Sequence, residues 1–106
     1  MTTQTAELVH KYSENGITTL TLNQPEKKNS LSMAMLEALS EELEIIASDT
    51  ETRVVVLAAH GNVFCAGHDL REVREQFDSH EFQLALFNQC SKVMQQIVNL
   101  PRPVIA

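Results

Sequence analysis

Val54-Val55-Val56-Leu57-Ala58-Ala59 is an unbroken apolar run, and it constrains the fold more than any other stretch of this chain. A run of that length, rich in β-branched residues and placed over 53–59, suits a parallel strand covered on both faces. The segment after this strand is the most informative local feature. Phe64-Cys65-Ala66-Gly67-His68-Asp69-Leu70-Arg71 breaks at a glycine and opens into a helical pattern. A buried strand that breaks and re-enters a helix leaves backbone N–H groups without intrahelical partners. Such groups can bind an anion or an oxyanion.

The elements around this strand can be read in order. Residues 8–12 and 17–22 read as strands flanking Asn15-Gly16, a dipeptide suited to a two-residue hairpin turn. Leu20 and Leu22 share one face while Thr19 and Thr21 share the other, so one face is buried. A polar loop, Asn23 to Ser30, contains Pro25. A helix is predicted over 32–48, capped by Ser32, with Leu36, Leu39, Leu43 and Ile46 as its apolar stripe and Glu37, Glu41, Glu42 and Glu44 mostly outward. Strand, helix, strand in that order predicts a crossover between parallel strands. Asp69 with Glu72 and Asp78 with Glu81 each fit a capping box at a helix start. Phe82, Leu86, Cys90, Val93 and Ile97 form a long helical stripe ending near Asn99. Pro101 and Pro103 then force an extended entry into a strand over 103–106. The fold class is α/β.

A chain of 106 residues makes at most one domain. Its formal charge of −6 argues against a nucleic-acid or anionic-membrane partner held by bulk electrostatics. An anionic small molecule would need a local basic cluster, for which Lys27-Lys28 and Arg71 with Arg74 are the candidates once they converge. No apolar run approaches the roughly 20 residues of a membrane span. Residues 1–7 are polar and do not read as a secretory signal. Two cysteines, Cys65 and Cys90, make no disulfide framework, and a reducing compartment is expected.

Several residues invite chemistry that their surroundings do not support. Cys65-x-x-His68 is half of a zinc motif without its other half. Cys65 as a nucleophile could use His68 as base, but no third group orients the pair. Gly61 and Gly67 do not make a dinucleotide fingerprint, and their default role is turn geometry. For Gly67, close approach of a ligand at a helix mouth would require glycine as well. Asp69 reads as a helix cap, Glu37, Glu41 and Glu44 as solvated charge, and Phe87, Cys90 and Met94 as core.

Taken in sequence, the motifs resemble the crotonase (enoyl-CoA hydratase/isomerase) superfamily. Gly16-Ile17-Thr18-Thr19-Leu20-Thr21-Leu22-Asn23-Gln24-Pro25 is similar to the family's opening strand and its Asn-x-Pro exit. Lys28-Asn29-Ser30-Leu31-Ser32 resembles the start of its first helix. Phe64-Cys65-Ala66-Gly67-His68-Asp69-Leu70 matches its F-x-A-G-x-D-L block, and Pro101 to Ala106 resembles the strand before its second glycine-rich motif. Gly67-His68-Asp69-Leu70 is closest to the enoyl-CoA hydratase domain-containing branch.

The resemblance implies a spiral of ββα units binding an acyl-CoA thioester, with coenzyme A entering only as part of the substrate and no separate cofactor or metal. It implies that the backbone N–H of His68 is one of two oxyanion-hole donors. Backbone at Cys65, Ala66 and Gly67 would meet the adenine end of coenzyme A, and Lys27, Lys28 and Arg71 would neutralise its phosphates. A whole crotonase is more than twice this length. The second donor and the catalytic carboxylates belong to the part that does not align. The chain is therefore expected to be the N-terminal part of one truncated acyl-CoA-binding domain carrying half of the site, and inactive alone. The alternative is a short protein that binds coenzyme A, or associates with itself, without catalysis. Self-association through an open sheet edge beyond Val104-Ile105 is expected in either case. The expected compartment is the cytoplasm, with the mitochondrial matrix as the alternative.

Overall fold

A computed structural model describes residues 8–106. The reading of residues 1–7 as lacking a secretory signal lies outside the described residues. The sheet has four strands in the order β1 (Val9–Glu14), β2 (Ile17–Leu22), β3 (Val54–Ala59) and β4 (Val104–Ile105). β1 and β2 form the predicted hairpin, with Asn15 at φ 55° and Gly16 at φ 83°. β2, β3 and β4 run parallel. Among the described residues, α1 (Met33–Ala47), α2 (Leu70–Glu75) and α3 (His80–Asn99) connect and cover the strands.

The predicted cap at Ser32 is present, its hydroxyl accepting from Met35 N–H at 3.1 Å. The stripe Leu36, Leu39, Leu43 and Ile46 is buried, together with Met35 and Ala38. The buried surface of α1 is wider than one stripe because the helix lies between the sheet and α3. Leu86 and Val93 of α3 are buried in the same core as Leu20, Leu22 and Val55. Removing each such side chain from water contributes about 1.5–3 kcal/mol. Lys11 pairs with Glu42 at 3.6 Å and links β1 to α1.

Two expectations are corrected. β3 was expected to be buried on both faces, but of its residues only Val55 is fully buried. Val55, Leu57 and Ala59 turn toward the helices. Val54 and Val56 alternate to the other face, beside the exposed Ile17 and Ile105. The cap of α3 is Ser79, whose hydroxyl accepts from Phe82 N–H at 3.1 Å, not Asp78 in a box with Glu81. Both residues are good caps, and sequence spacing alone cannot rank adjacent ones.

The turn from α1 into β3 is tied by polar contacts. Asp49 accepts from Glu51 N–H at 2.9 Å and from the Thr52 hydroxyl at 2.7 Å. The Thr52 hydroxyl also meets that of Thr18 in β2 at 2.7 Å. The Arg102 guanidinium donates to the carbonyls of Thr52 and Asp49, fixing the entry to β4. The Thr52 hydroxyl, then the Glu51 N–H, holds the Asp49 carboxyl below its ordinary pKa of 3.8. A carboxyl depressed in the folded state stabilises above its unfolded pKa and loses that contribution as pH falls through the folded value. Urea midpoints of wild type and Asp49→Asn should therefore differ near neutral pH and converge below about pH 3.8. A constant gap down the acid limb would show that ionisation of Asp49 is not what stabilises the turn.

Candidate active-site cleft

Two loops build the site. The first, between β2 and α1, contains a turn of 3-10 helix over Pro25–Lys27, followed by Lys28 and Asn29 in the left-handed region at φ 55° and 53°. The second runs from β3 to α2. Asn29, fully buried, joins them. Its Oδ1 accepts from Gln24 N–H at 2.7 Å, and its Nδ2 donates to the carbonyls of His60 and Val63, both at 2.9 Å. Only one orientation of the amide satisfies all three groups. The backbones then pair. Ala66 N–H donates to Lys28 O at 3.1 Å, Leu31 N–H to Gly67 O at 2.7 Å, and Asp69 N–H to Leu31 O at 3.2 Å.

That pairing is a one-residue parallel bridge between Leu31 and His68. In such a bridge the residues flanking His68 make both hydrogen bonds to Leu31, so the N–H of His68 itself turns away from that segment. Among the described residues it has no acceptor. Gly67 stands at φ 92°, and a Cβ there would meet nothing within 4 Å. The backbone conformation requires glycine, and the space in front of it is open.

Asp69 caps α2, accepting from Arg71 N–H at 3.1 Å and Glu72 N–H at 3.3 Å. The expected capping box is only half formed. Glu72 does not return to Asp69, whose N–H is already held by Leu31. Its Oε1 accepts instead from Met33 N–H at 3.0 Å, at the N-terminus of α1. A carboxylate there satisfies an orphan donor and favours the helix dipole. It also pins α2 to α1 on one side of the cleft.

The cleft has a volume of about 490 Å³, and its walls include Lys27, Ser30, Ala66, His68, Leu70 and Arg71. The two basic clusters of the sequence thus converge through one member each, Lys27 and Arg71. Glu26 and Asp69 also line it, with Asp69 engaged at the helix cap. Lys28 is exposed and outside the cleft wall; its carbonyl receives Ala66. Cys65 lines a different, wholly apolar cavity of about 100 Å³, beside Leu31, Leu57 and Val93. The Cys65 sulfur accepts from Gly67 N–H at 3.5 Å. Successive residues of Cys65-Ala66-Gly67-His68 therefore serve two environments. The His68 imidazole meets the Phe87 ring edge-on, with centroids 5.9 Å apart, and its Nδ1 is buried without a partner among the described residues. No three His, Cys, Asp or Glu side chains converge as a metal site among the described residues. Asn29 and Glu72 are the positioning residues that sequence reasoning missed, because the partners through which they join the loops, His60 and Val63 for Asn29 and Met33 for Glu72, lie more than thirty residues away.

The family model for enoyl-CoA hydratase/isomerase matches residues 12–106. The chain belongs to that family. The solved enoyl-CoA hydratase of Mycobacterium smegmatis superposes with a TM-score of 0.87 at 49% identity, over 92% of this chain and 38% of that one. Human mitochondrial enoyl-CoA hydratase domain-containing protein 3 is 40% identical over 92 residues, 87% of this chain and 30% of its own length. The 1,2-epoxyphenylacetyl-CoA isomerase of Escherichia coli is 33% identical over 101 residues, 93% of this chain and 38% of its own. The α/β architecture is thus that of the N-terminal part of a crotonase. The chain spans about a third of the length of these relatives.

Proposed function

We propose that this chain contributes the coenzyme-A-facing part of an acyl-CoA site, in which the His68 N–H is one of two donors to the thioester oxygen. The observation that carries the reading is that N–H: oriented by the bridge to Leu31, without an acceptor among the described residues, and belonging to a residue of the cleft wall. When a base removes a proton α to the thioester, or water adds to an enoyl thioester, negative charge develops on the carbonyl oxygen. A donor already in place stabilises that charge without reorganising, and a donor pair is worth several kcal/mol. Lys27 and Arg71 would take the phosphates of coenzyme A, with Lys28 reaching in from outside the wall. Backbone at Cys65, Ala66 and Gly67 would meet its adenine. The second donor and the acid/base carboxylates would come from the part of the family's fold that these 106 residues do not span. Hydratases and isomerases are both among the relatives, so the intact site is read as enolate-stabilising without assigning one reaction. Self-association and a cytoplasmic or mitochondrial-matrix setting belong to the same reading; the human relative is named as mitochondrial.

Calorimetric titration with coenzyme A and with an unreactive thioether analogue of an acyl-CoA tests it. Saturable binding is expected. Lys27→Ala and Arg71→Ala should each weaken it about two- to fivefold, the range for exposed charges, and added salt should shrink the difference. Hydration of a short enoyl-CoA should be undetectable with this chain alone. Absence of saturable binding, or unaltered affinity in the double variant, would remove the cleft from the reading. Hydration at an enzymatic rate would remove the half-site claim.

A further inference from the structure

We propose that the outward face of α3 pairs with the same face of a second copy of this chain, in an antiparallel two-fold contact. The helix carries two apolar stripes. Leu86 and Val93 lie on the first and are buried in the core. Leu84, Phe87, Met94 and Val98 lie on the second, roughly a third of a turn around the helix. Phe87 and Met94 were expected in the core, but their spacing puts them on this second stripe, and both are exposed. With Ser91 the stripe recurs at alternate steps of three and four residues, the spacing that seats one helix against another. The outward side of α1 carries Glu37, Glu41 and Glu44 instead.

Charge and area say what covers the stripe. Charged residues make up 21% of the chain, yet α3 carries only Glu81 and Lys92 in 20 residues. Glu81 lies in the first turn, and Lys92 is drawn toward Glu44 of α1 at 3.7 Å. The face around the stripe is therefore uncharged from Gln83 to Asn99, with Asn88, Ser91 and Gln95 as its exposed polar positions. Apolar anchors in a charge-depleted patch with a polar rim are the composition of an interface. For a chain of charge −6 this is also where a second copy approaches with least repulsion. Leu84, Phe87, Met94 and Val98 are 50%, 59%, 44% and 80% exposed. Together they leave on the order of 400 Å² of apolar surface in one strip roughly 20 Å long, the size at which an apolar patch commonly serves a contact. Doubled by symmetry, and with the polar positions added, the contact reaches roughly 1,200 Å² in total, where specific interfaces begin. The edge of β4 offers less, with two residues in the strand.

An antiparallel pairing suits the side chains. Heptad spacing then sets Phe87 against Val98 of the second copy and Met94 against Ser91, so that large meets small. A parallel pairing would set Phe87 against Phe87 and leave Ser91 facing itself. Opposed helix dipoles add to the preference, and a closed two-fold contact stops at the dimer. The Phe87 ring that meets the His68 imidazole would lie within the contact. The pairing rests on the self-association in the reading above and moves it from the sheet edge to α3; the coenzyme A cleft does not depend on it.

Sedimentation equilibrium of the 106-residue chain, from about 5 to 500 µM, tests the surface. A reversible monomer–dimer equilibrium is expected, with a dissociation constant of about 10–100 µM. Leu84→Glu and Val98→Glu each place a charge against an apolar partner at an exposed position, and each should weaken the dimer about tenfold or more. Ile105→Lys, at the sheet edge, should leave it unchanged. The pairing is overturned if the chain stays monomeric to about 500 µM, if association runs past the dimer, if either glutamate variant dimerises as tightly as wild type, or if Ile105→Lys abolishes the dimer. A monomer would leave the face to the part of the family's fold outside these 106 residues. The coenzyme A titration succeeds or fails independently of the sedimentation result, so the two readings fall separately.

Discussion

Asn29→Ala should lower stability by about 3–5 kcal/mol and abolish binding in the cleft at temperatures where wild type still binds. The magnitude comes from the groups that the amide holds. Truncation strands Gln24 N–H and the carbonyls of His60 and Val63, three groups whose bonds are partly buried. Each buried polar group left unmatched costs about 1–3 kcal/mol, and water entering a collapsed loop recovers part of that. The backbone adds to it, because φ at residue 29 is 53°, a region Asn tolerates better than Ala. Domains of this size have about 5–15 kcal/mol in total, so the loss takes a large share. Asn29→Asp separates the contributions. It keeps the shape, the tolerance of left-handed backbone and the acceptor for Gln24, but turns a carboxylate oxygen toward two carbonyls. It should be at least as damaging as alanine in a urea melt. Near-wild-type stability for the aspartate would show that the bonds to His60 and Val63 matter little.

Asn29 also marks the boundary of what sequence could reveal. The hairpin, the cap at Ser32, the stripe of α1, the length of α3 and the parallel β3 rest on local periodicity and turn chemistry. Each was legible because the relevant neighbours lie within a few residues. The site was legible in part for the same reason. The glycine break places His68 at a bend whatever else the fold does, and Asp69 caps the next helix by spacing alone. The rest was hidden because it is made by pairs far apart in the chain. Glu72 looks toward Asp69 in sequence, yet its oxygen goes to Met33, because Leu31 has already taken the N–H that a capping box would use. Lys27 and Arg71 belong to two candidate basic clusters far apart in the chain, and only the pairing of residues 28–31 with 66–69 brings one member of each to the same cleft. Lys28, one position on, is placed outside the cleft wall by a left-handed turn that composition does not announce. Cys65 and Ala66 are adjacent yet line separate cavities, a consequence of alternation in an extended segment.

Gly61→Ala should also be strongly destabilising, by about 2–5 kcal/mol, through overpacking and backbone strain and not through a lost hydrogen bond. Gly61 stands at φ 90°, a conformation alanine enters only with strain. A Cβ there would also come within 2.8 Å of the Pro25 Cβ, closer than unstrained carbons approach. The proline ring cannot swing aside, since Pro25 opens the turn whose carbonyls receive Lys28 and Asn29. The loop after β3 must therefore move off the loop before α1, against the two Asn29 bonds to His60 and Val63 that draw them together. Overpacking of this kind costs about 1–3 kcal/mol, and the backbone strain about 1–2 more. The two sites oppose each other across one contact, so their effects should not add. Once Asn29→Ala has freed the loops, the added methyl of Gly61→Ala has room, and the double variant should be less destabilised than the sum by about 1 kcal/mol or more. Urea unfolding of the four proteins of this cycle measures the coupling. Simple additivity would mean that the loops relax separately, and that the cleft does not depend on their being held against each other.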